Sequence, residues 1–144
     1  MCLATTKKET EDFRNKNQDK EFIWAYKLYE IYEGKLYPVW YHRYCSVKPG
    51  EIKSDRSRLS FDKRDEDYWT PSYPYIYNST ASWSIRRGIH VYNYKQLFNK
   101  NKYRMVRVRC FMSDFVACNG VVGEMVFRKV HLSEKEYNKA IEGE

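Results

Sequence analysis

Arg86-Arg87-Gly88-Ile89-His90-Val91-Tyr92 packs two guanidinium groups, a glycine and an imidazole into one short stretch of chain. A glycine lets the backbone take a positive φ or come close to a ligand, and an imidazole can both donate and accept hydrogen bonds. That combination suits the capture of a phosphate group. A second chemical candidate is Glu124, a lone carboxylate leading the apolar run Met125-Val126-Phe127. A carboxylate entering an apolar strand needs a partner. Arg107 or Arg109 on an adjoining strand is the expected one, and a catalytic or ligand-binding role for Glu124 is the alternative.

These residues belong to a larger charge pattern. Between Asp67 and Asp114 the chain has no acidic residue, yet it holds Arg86, Arg87, Lys95, Lys100, Lys102, Arg104, Arg107 and Arg109. The local charge therefore exceeds the +7 of the whole chain. Trp69, Tyr73, Tyr75, Trp83 and Tyr92 lie in the same window. Clustered cations attract anions, while Tyr and Trp rings stack on bases or receive a guanidinium. The expected ligand-binding set is Arg86, Arg87, His90, Tyr92, Arg104, Arg107 and Arg109, with Trp69, Tyr73, Tyr75 and Trp83 as the aromatic part. A plain basic outer face of a tyrosine-rich sheet would give a similar pattern.

Strands are the elements that must position these groups. Phe22 to Tyr32 is dense in aromatic and β-branched residues and reads as a strand. Glu33-Gly34-Lys35 turns it into a second run, Leu36 to Tyr44, in which Pro38 calls for a sheet edge or a bulge. Ile89 to Tyr92 is a short strand. Tyr103 to Met112 alternates, with Val106, Val108, Cys110 and Met112 facing one way and Arg107 and Arg109 the other. Asn119-Gly120 marks a turn, and Val121 to Leu132 reads as the last strand. Asn93 is a candidate cap for a brief helix over 95–98. Ser133 with Glu136 forms a capping box that opens a terminal helix through Ile141.

Less regular stretches separate these elements. Residues 1–20 are expected to form a flexible polar arm ahead of a single domain over 21–144. Residues 51–67, with charges of both signs, read as a solvated loop. Two prolines in Trp69-Thr70-Pro71-Ser72-Tyr73-Pro74-Tyr75 exclude a central strand, so 68–83 is expected to be a long aromatic flap over the ligand site. The expected class is α+β: mostly antiparallel, twisted sheet, with one or two short helices.

Several function classes are missing their signatures. There is no P-loop, no GxGxxG, no HExxH and no GxSxG. Cys2, Cys45, Cys110 and Cys118 form no CxxC pair and are too sparse for a disulfide scaffold. Neither metal nor cofactor is expected. No apolar run approaches the ~20 residues of a membrane-spanning helix, and Met1 to Lys20 lacks a stretch of signal-peptide type. The expectation is a cytosolic protein with no membrane partner.

The Met-Cys-Leu start with its lysine-rich arm, Ala25-Tyr26-Lys27-Leu28, Gly88-Ile89-His90-Val91-Tyr92 and the valine-rich final strand resemble a group of small phage and mobile-element proteins. The resemblance covers about residues 21 to 132. It implies phage origin, expression in the cytoplasm of a bacterial host, and a role against host defences. The chain is also similar to ADP-ribosyltransferase-like folds, where an early strand gives Arg or His, a middle strand Ser or Tyr, and a late strand Glu. Tyr26, His90 and Glu124 hold those places in order, with residue types that depart from both standard triads; that similarity implies NAD chemistry. The leading expectation is a non-enzymatic protein that captures a nucleotide or nucleic acid. An NAD-using enzyme built on Glu124, His90 and Tyr26 is the alternative. A phage structural protein, or one whose basic face meets an acidic host protein, is the third reading.

Overall fold

Two long stretches of alternating sequence make the centre of the protein. The computed structural model describes residues 3–5, 7–39, 46–53, 83–85, 88–120 and 122–143. In chain order the elements are β1 (Leu3–Thr5), α1 (Lys7–Lys16), β2 (Phe22–Tyr32), β3 (Lys35–Pro38), β4 (Gly50–Lys53) and β5 (Trp83–Ile85). They continue with β6 (Ile89–Tyr92), β7 (Tyr103–Phe111), β8 (Phe115–Asn119), β9 (Glu124–Phe127), β10 (Lys129–Leu132) and α2 (Glu134–Glu142). The fold is α+β, as expected. An eight-stranded antiparallel sheet runs β4-β10-β7-β2-β6-β9-β8, with β3 also on β2, and β1 pairs with β5 apart from it.

β2 and β7 pair from Phe22↔Phe111 to Glu30↔Tyr103. Alternation then decides which face each residue takes. Ala25, Val106, Val108 and Cys110 are buried, and they join Tyr29, Ile89, Val91, Phe127, Val130 and Leu132 in one core. Phe22, Trp24, Tyr26, Arg107 and Arg109 take the opposite face. The outward placement of Arg107 and Arg109 and the inward placement of Val106, Val108 and Cys110 follow the sequence pattern. Glu33 (φ 51) and Gly34 (φ 72) form the tight β2–β3 turn. Both central residues take positive φ, which matches the twist of a two-residue hairpin. Ser133 Oγ accepts from Glu136 N at 3.1 Å, so Ser133 caps α2 as expected, while the Glu136 carboxylate meets Arg107.

Several expectations need correction. The arm expected over residues 1–20 instead carries β1 and α1. Thr10, Phe13 and Asn17, spaced three and four apart, turn one side of α1 toward β8. Cys118 N donates to Thr10 Oγ1 (3.4 Å), Gly120 N donates to Glu9 Oε1 (2.7 Å), and the Phe13 and Phe115 rings stack at 5.0 Å. Polar helix–strand contacts of this kind leave no hydrophobic stripe for a sequence pattern to register.

The expected last strand is two strands, β9 and β10, interrupted at Arg128, whose N–H turns away to donate to Asp114 O. No helix forms over 95–98, and the backbone around it is held by tertiary hydrogen bonds. Asn93 N donates to Gly123 O, and Gln96 N reaches Met105 Sδ. Residues 51–53, at the start of the loop expected over 51–67, instead pair with β10 as part of β4, and the rest of that loop lies outside the described residues. The expected flap, with Trp69, Tyr73 and Tyr75, lies outside the described residues, as do Arg86 and Arg87. Of Trp83 only the backbone, in β5, is described.

Candidate functional site

Two groupings of chemical side chains emerge, and strand register links them. Across the sheet, Arg107↔Tyr26, Tyr26↔Tyr92 and Tyr92↔Glu124 stand directly opposite one another on β7, β2, β6 and β9. Residues opposite in adjoining strands share a face. One row therefore carries the guanidinium at one end and the carboxylate at the other.

At the carboxylate end, His90 Nδ1 lies 3.0 Å from Glu124 Oε1, with the two side chains 12% and 9% exposed. Lys27 stands between Ala25 and Tyr29 on the core-facing side of β2, and its Nζ donates to His90 O at 3.2 Å. Burial pulls that ammonium from its ordinary 10.5 down to about 8, against the opposing influence of the Glu124 charge. The Tyr92 hydroxyl is pushed up, by burial first and then by the Glu124 charge. Gly123 (φ +69) introduces β9, and a Cβ there would run into Asn93 Oδ1 and the Tyr94 ring. Glycine thus allows the loop after β6 to close on Glu124.

The partner expected for Glu124 was Arg107 or Arg109, and this is corrected. Glu124 pairs with His90, while Arg107 Nη2 pairs with Glu136 Oε1 of α2 at 3.2 Å. Register is the reason: β6, not β7, adjoins β9. His90, Lys27 and Glu124 join β2, β6 and β9 by polar contacts, a structural arrangement in which the carboxylate is already engaged. Of the triad candidates, His90 contacts Glu124 directly, whereas Tyr26 lies two strands away with Tyr92 of β6 between them.

At the guanidinium end the outer face of β2 and β7 is aromatic and cationic together. Arg107 Cζ sits 4.1 Å from the centroid of the Trp24 ring, and Arg109 Cζ sits 5.7 Å from that of Phe22. Phe22 contacts Trp24 edge-on at 5.7 Å and Phe111 at 5.8 Å, and Phe111 meets His131 of β10 at 4.9 Å. Trp24 keeps 45% of its surface exposed. On the neighbouring strands Glu51 lies between Lys53 (3.3 Å) and Lys129 (3.6 Å), and the hydrogen bond from Lys53 holds its carboxyl below the usual range.

The expected ligand set is therefore divided. Arg107 and Arg109 share one face. His90 and Tyr92 belong to the Glu124 cluster along the same row. Arg104 stands apart from both groups: it pairs in register with the buried Tyr29, and its guanidinium lies beside Gly143 at the end of α2. There its charge complements the carbonyls of the last helical turn. Phe22, Trp24, Phe111 and His131 were missed. The alternation of Phe22, Trp24 and Tyr26 held the signal, but only the register with β7 shows that these rings meet the arginines.

Cys110 and Cys118 are buried thiols outside any disulfide, whose pKa values burial pushes up to about 12, which removes them as nucleophiles near neutral pH. Among the described residues no three His, Cys, Asp or Glu gather as a metal site, and no helix is long and apolar enough to cross a membrane. Comparison of the chain with protein-family models, curated proteins and solved structures finds no match.

Proposed function

We propose that this chain is a small basic binding protein that captures a phosphate-bearing ligand, a nucleotide or nucleic acid, on the outer face of β2 and β7. The observation that carries this reading is Trp24, 45% exposed on a sheet face with the Arg107 guanidinium 4.1 Å from its ring. An exposed ring offers a stacking surface to any base, and a neighbouring exposed arginine such as Arg109 supplies a counter-charge for phosphate. Arg107, held by Glu136, stiffens the platform, while Arg109 is the cation that faces solvent. In the phage setting implied by the sequence resemblance, host nucleotides or nucleic acid would be the targets.

The test is equilibrium binding of a mononucleotide and a fluorescent oligothymidylate at about 50 mM salt. Binding should weaken as salt rises, with a log–log slope near −0.7 for each phosphate neutralised on a single strand. Trp24→Ala should weaken it by roughly tenfold, the lower end of the ~1–3 kcal/mol that stacking one base contributes. Arg109→Glu should weaken it further. Failure of both ligands to bind the wild type refutes the reading.

A further inference from the structure

The aromatic strip continues beyond Trp24 and Phe22. Phe22 touches Phe111, and Phe111 forms part of the wall of an open cavity of about 440 Å³. The cavity lies where the chain enters β2 and leaves β7, and Met112 N donating to Glu21 O at 3.0 Å ties those two ends together. Arg14 and Lys20 line it from the end of α1 and the turn that follows. Gln18 and Ser113 add neutral hydrogen-bonding groups, and among the described residues Glu21 is the one carboxylate. Contacts thus run from Arg107 and Trp24, through Arg109 and Phe22, to Phe111, and Phe111 shares the lining of the cavity with Arg14 and Lys20.

We propose that the ligand of this face is a single-stranded nucleic acid several nucleotides long. Its bases stack along Trp24, Phe22 and Phe111, one backbone phosphate meets Arg109, and a further one enters the cavity at Arg14 and Lys20. The proposal rests on the reading of the β2–β7 face given above, and it names the ligand. A mononucleotide has one base to stack, whereas this strip has three rings in contact and cations at both ends. A duplex keeps its base faces stacked within the helix, where the strip cannot reach them. An acidic peptide would meet the cations but has no flat partner for the rings. A single strand satisfies both, because every base has a π-face and every linkage a charge.

The experiment uses the full chain, with thymidine monophosphate and oligothymidylates of three and six nucleotides measured by competition against a labelled hexamer. Affinity should rise at least a hundredfold from the mononucleotide to the hexamer, since each added stacked base contributes about tenfold or more. The double variant Arg14→Gln/Lys20→Gln should lose roughly tenfold on the hexamer, flatten its salt slope, and bind thymidine monophosphate as the wild type does. Both side chains are exposed, and Arg14 gives up only a contact with the Phe115 ring at 5.5 Å, so a melting temperature within about 5 °C of the wild type verifies the fold. A hexamer that binds no tighter than the mononucleotide overturns the proposal while the β2–β7 reading stands. So does a double variant that binds the hexamer like the wild type. Equal competition by a hexamer duplex or by polyglutamate also overturns it, in favour of general anion attraction. Absence of binding by every ligand removes the β2–β7 reading and this proposal together.

Discussion

Replacing Lys27 with Met should change how the stability of the protein depends on pH, by an amount that the burial of one ammonium group sets. In the fold Lys27 has a pKa of about 8, against 10.5 in its ordinary state. Below about pH 8 it is protonated both folded and unfolded, and the fold bears the full cost of burying the charge. Between about 8 and 10.5 the unfolded chain holds a proton that the folded one has released, so stability rises with pH there. At ~1.4 kcal/mol for each tenfold step the whole window corresponds to about 3 kcal/mol, of which about 2 kcal/mol is reached by pH 9.5.

The thiols of Cys110 and Cys118 act in the opposite direction. Their pKa values are raised from 9.0 to about 12, so stability falls as pH rises above about 9. The wild-type curve alone mixes the two effects. The difference between wild type and Lys27→Met isolates the lysine, because both proteins keep the cysteines. Urea unfolding under reducing conditions, at half-unit steps from pH 7 to pH 9.5, should show the wild type gaining about 2 kcal/mol relative to Lys27→Met. A difference constant to within about 0.5 kcal/mol would refute the assignment of Lys27 as a buried, depressed ammonium beside His90 and Glu124.

Three further outcomes follow from local geometry. Glu124→Gln removes the charge that faces His90 and Lys27, so it should destabilise the protein by roughly 3 kcal/mol near pH 7 and by less above about pH 8, where Lys27 is neutral; denaturation at the two pH values measures this. Neither that variant nor the wild type should release nicotinamide from NAD, and release by the wild type that the variant abolishes would instead establish the triad-like alternative. Gly123→Ala forces a Cβ onto Asn93 and Tyr94 at a positive φ, and should cost about 1–3 kcal/mol in thermal unfolding. Ser133→Ala removes the α2 cap and should cost about 1 kcal/mol, seen as a lower urea midpoint with an unchanged slope.

Features that depend on near neighbours in the chain were legible in the sequence. The alternation of Val106, Arg107, Val108, Arg109 and Cys110 fixes its own faces, Glu33-Gly34 sets a turn, and Ser133 with Glu136 announces a helix start. Features that depend on which strands adjoin were not legible. Glu124 has arginines available on one strand and a histidine on another, and nothing local in the chain says that β6 is its neighbour. Helix α1 was hidden because Thr10 and Asn17, which bury its inner side, look like surface residues in a sequence. Trp24 was readable as a strand residue but not as one whose ring lies under Arg107. That meeting depends on register between segments remote in sequence.

The same remoteness has a kinetic consequence. Even the innermost pair of the central ladder, Glu30 and Tyr103, joins opposite halves of the chain, so the ladder must close a long loop before its contacts offset the entropy of closure. During synthesis at ~5–20 residues per second, β2 leaves the ribosome several seconds before β7 exists. Until then β2 has only β3 and, late in the interval, the short β6 beside it, and Phe22, Trp24 and Tyr26 stand on a strand whose β7 edge is open. Folding in the cell should therefore pass through an interval in which the future binding strip is an adhesive hairpin. Translation rate and temperature would then set the yield of soluble protein more strongly than the stability of the finished sheet does.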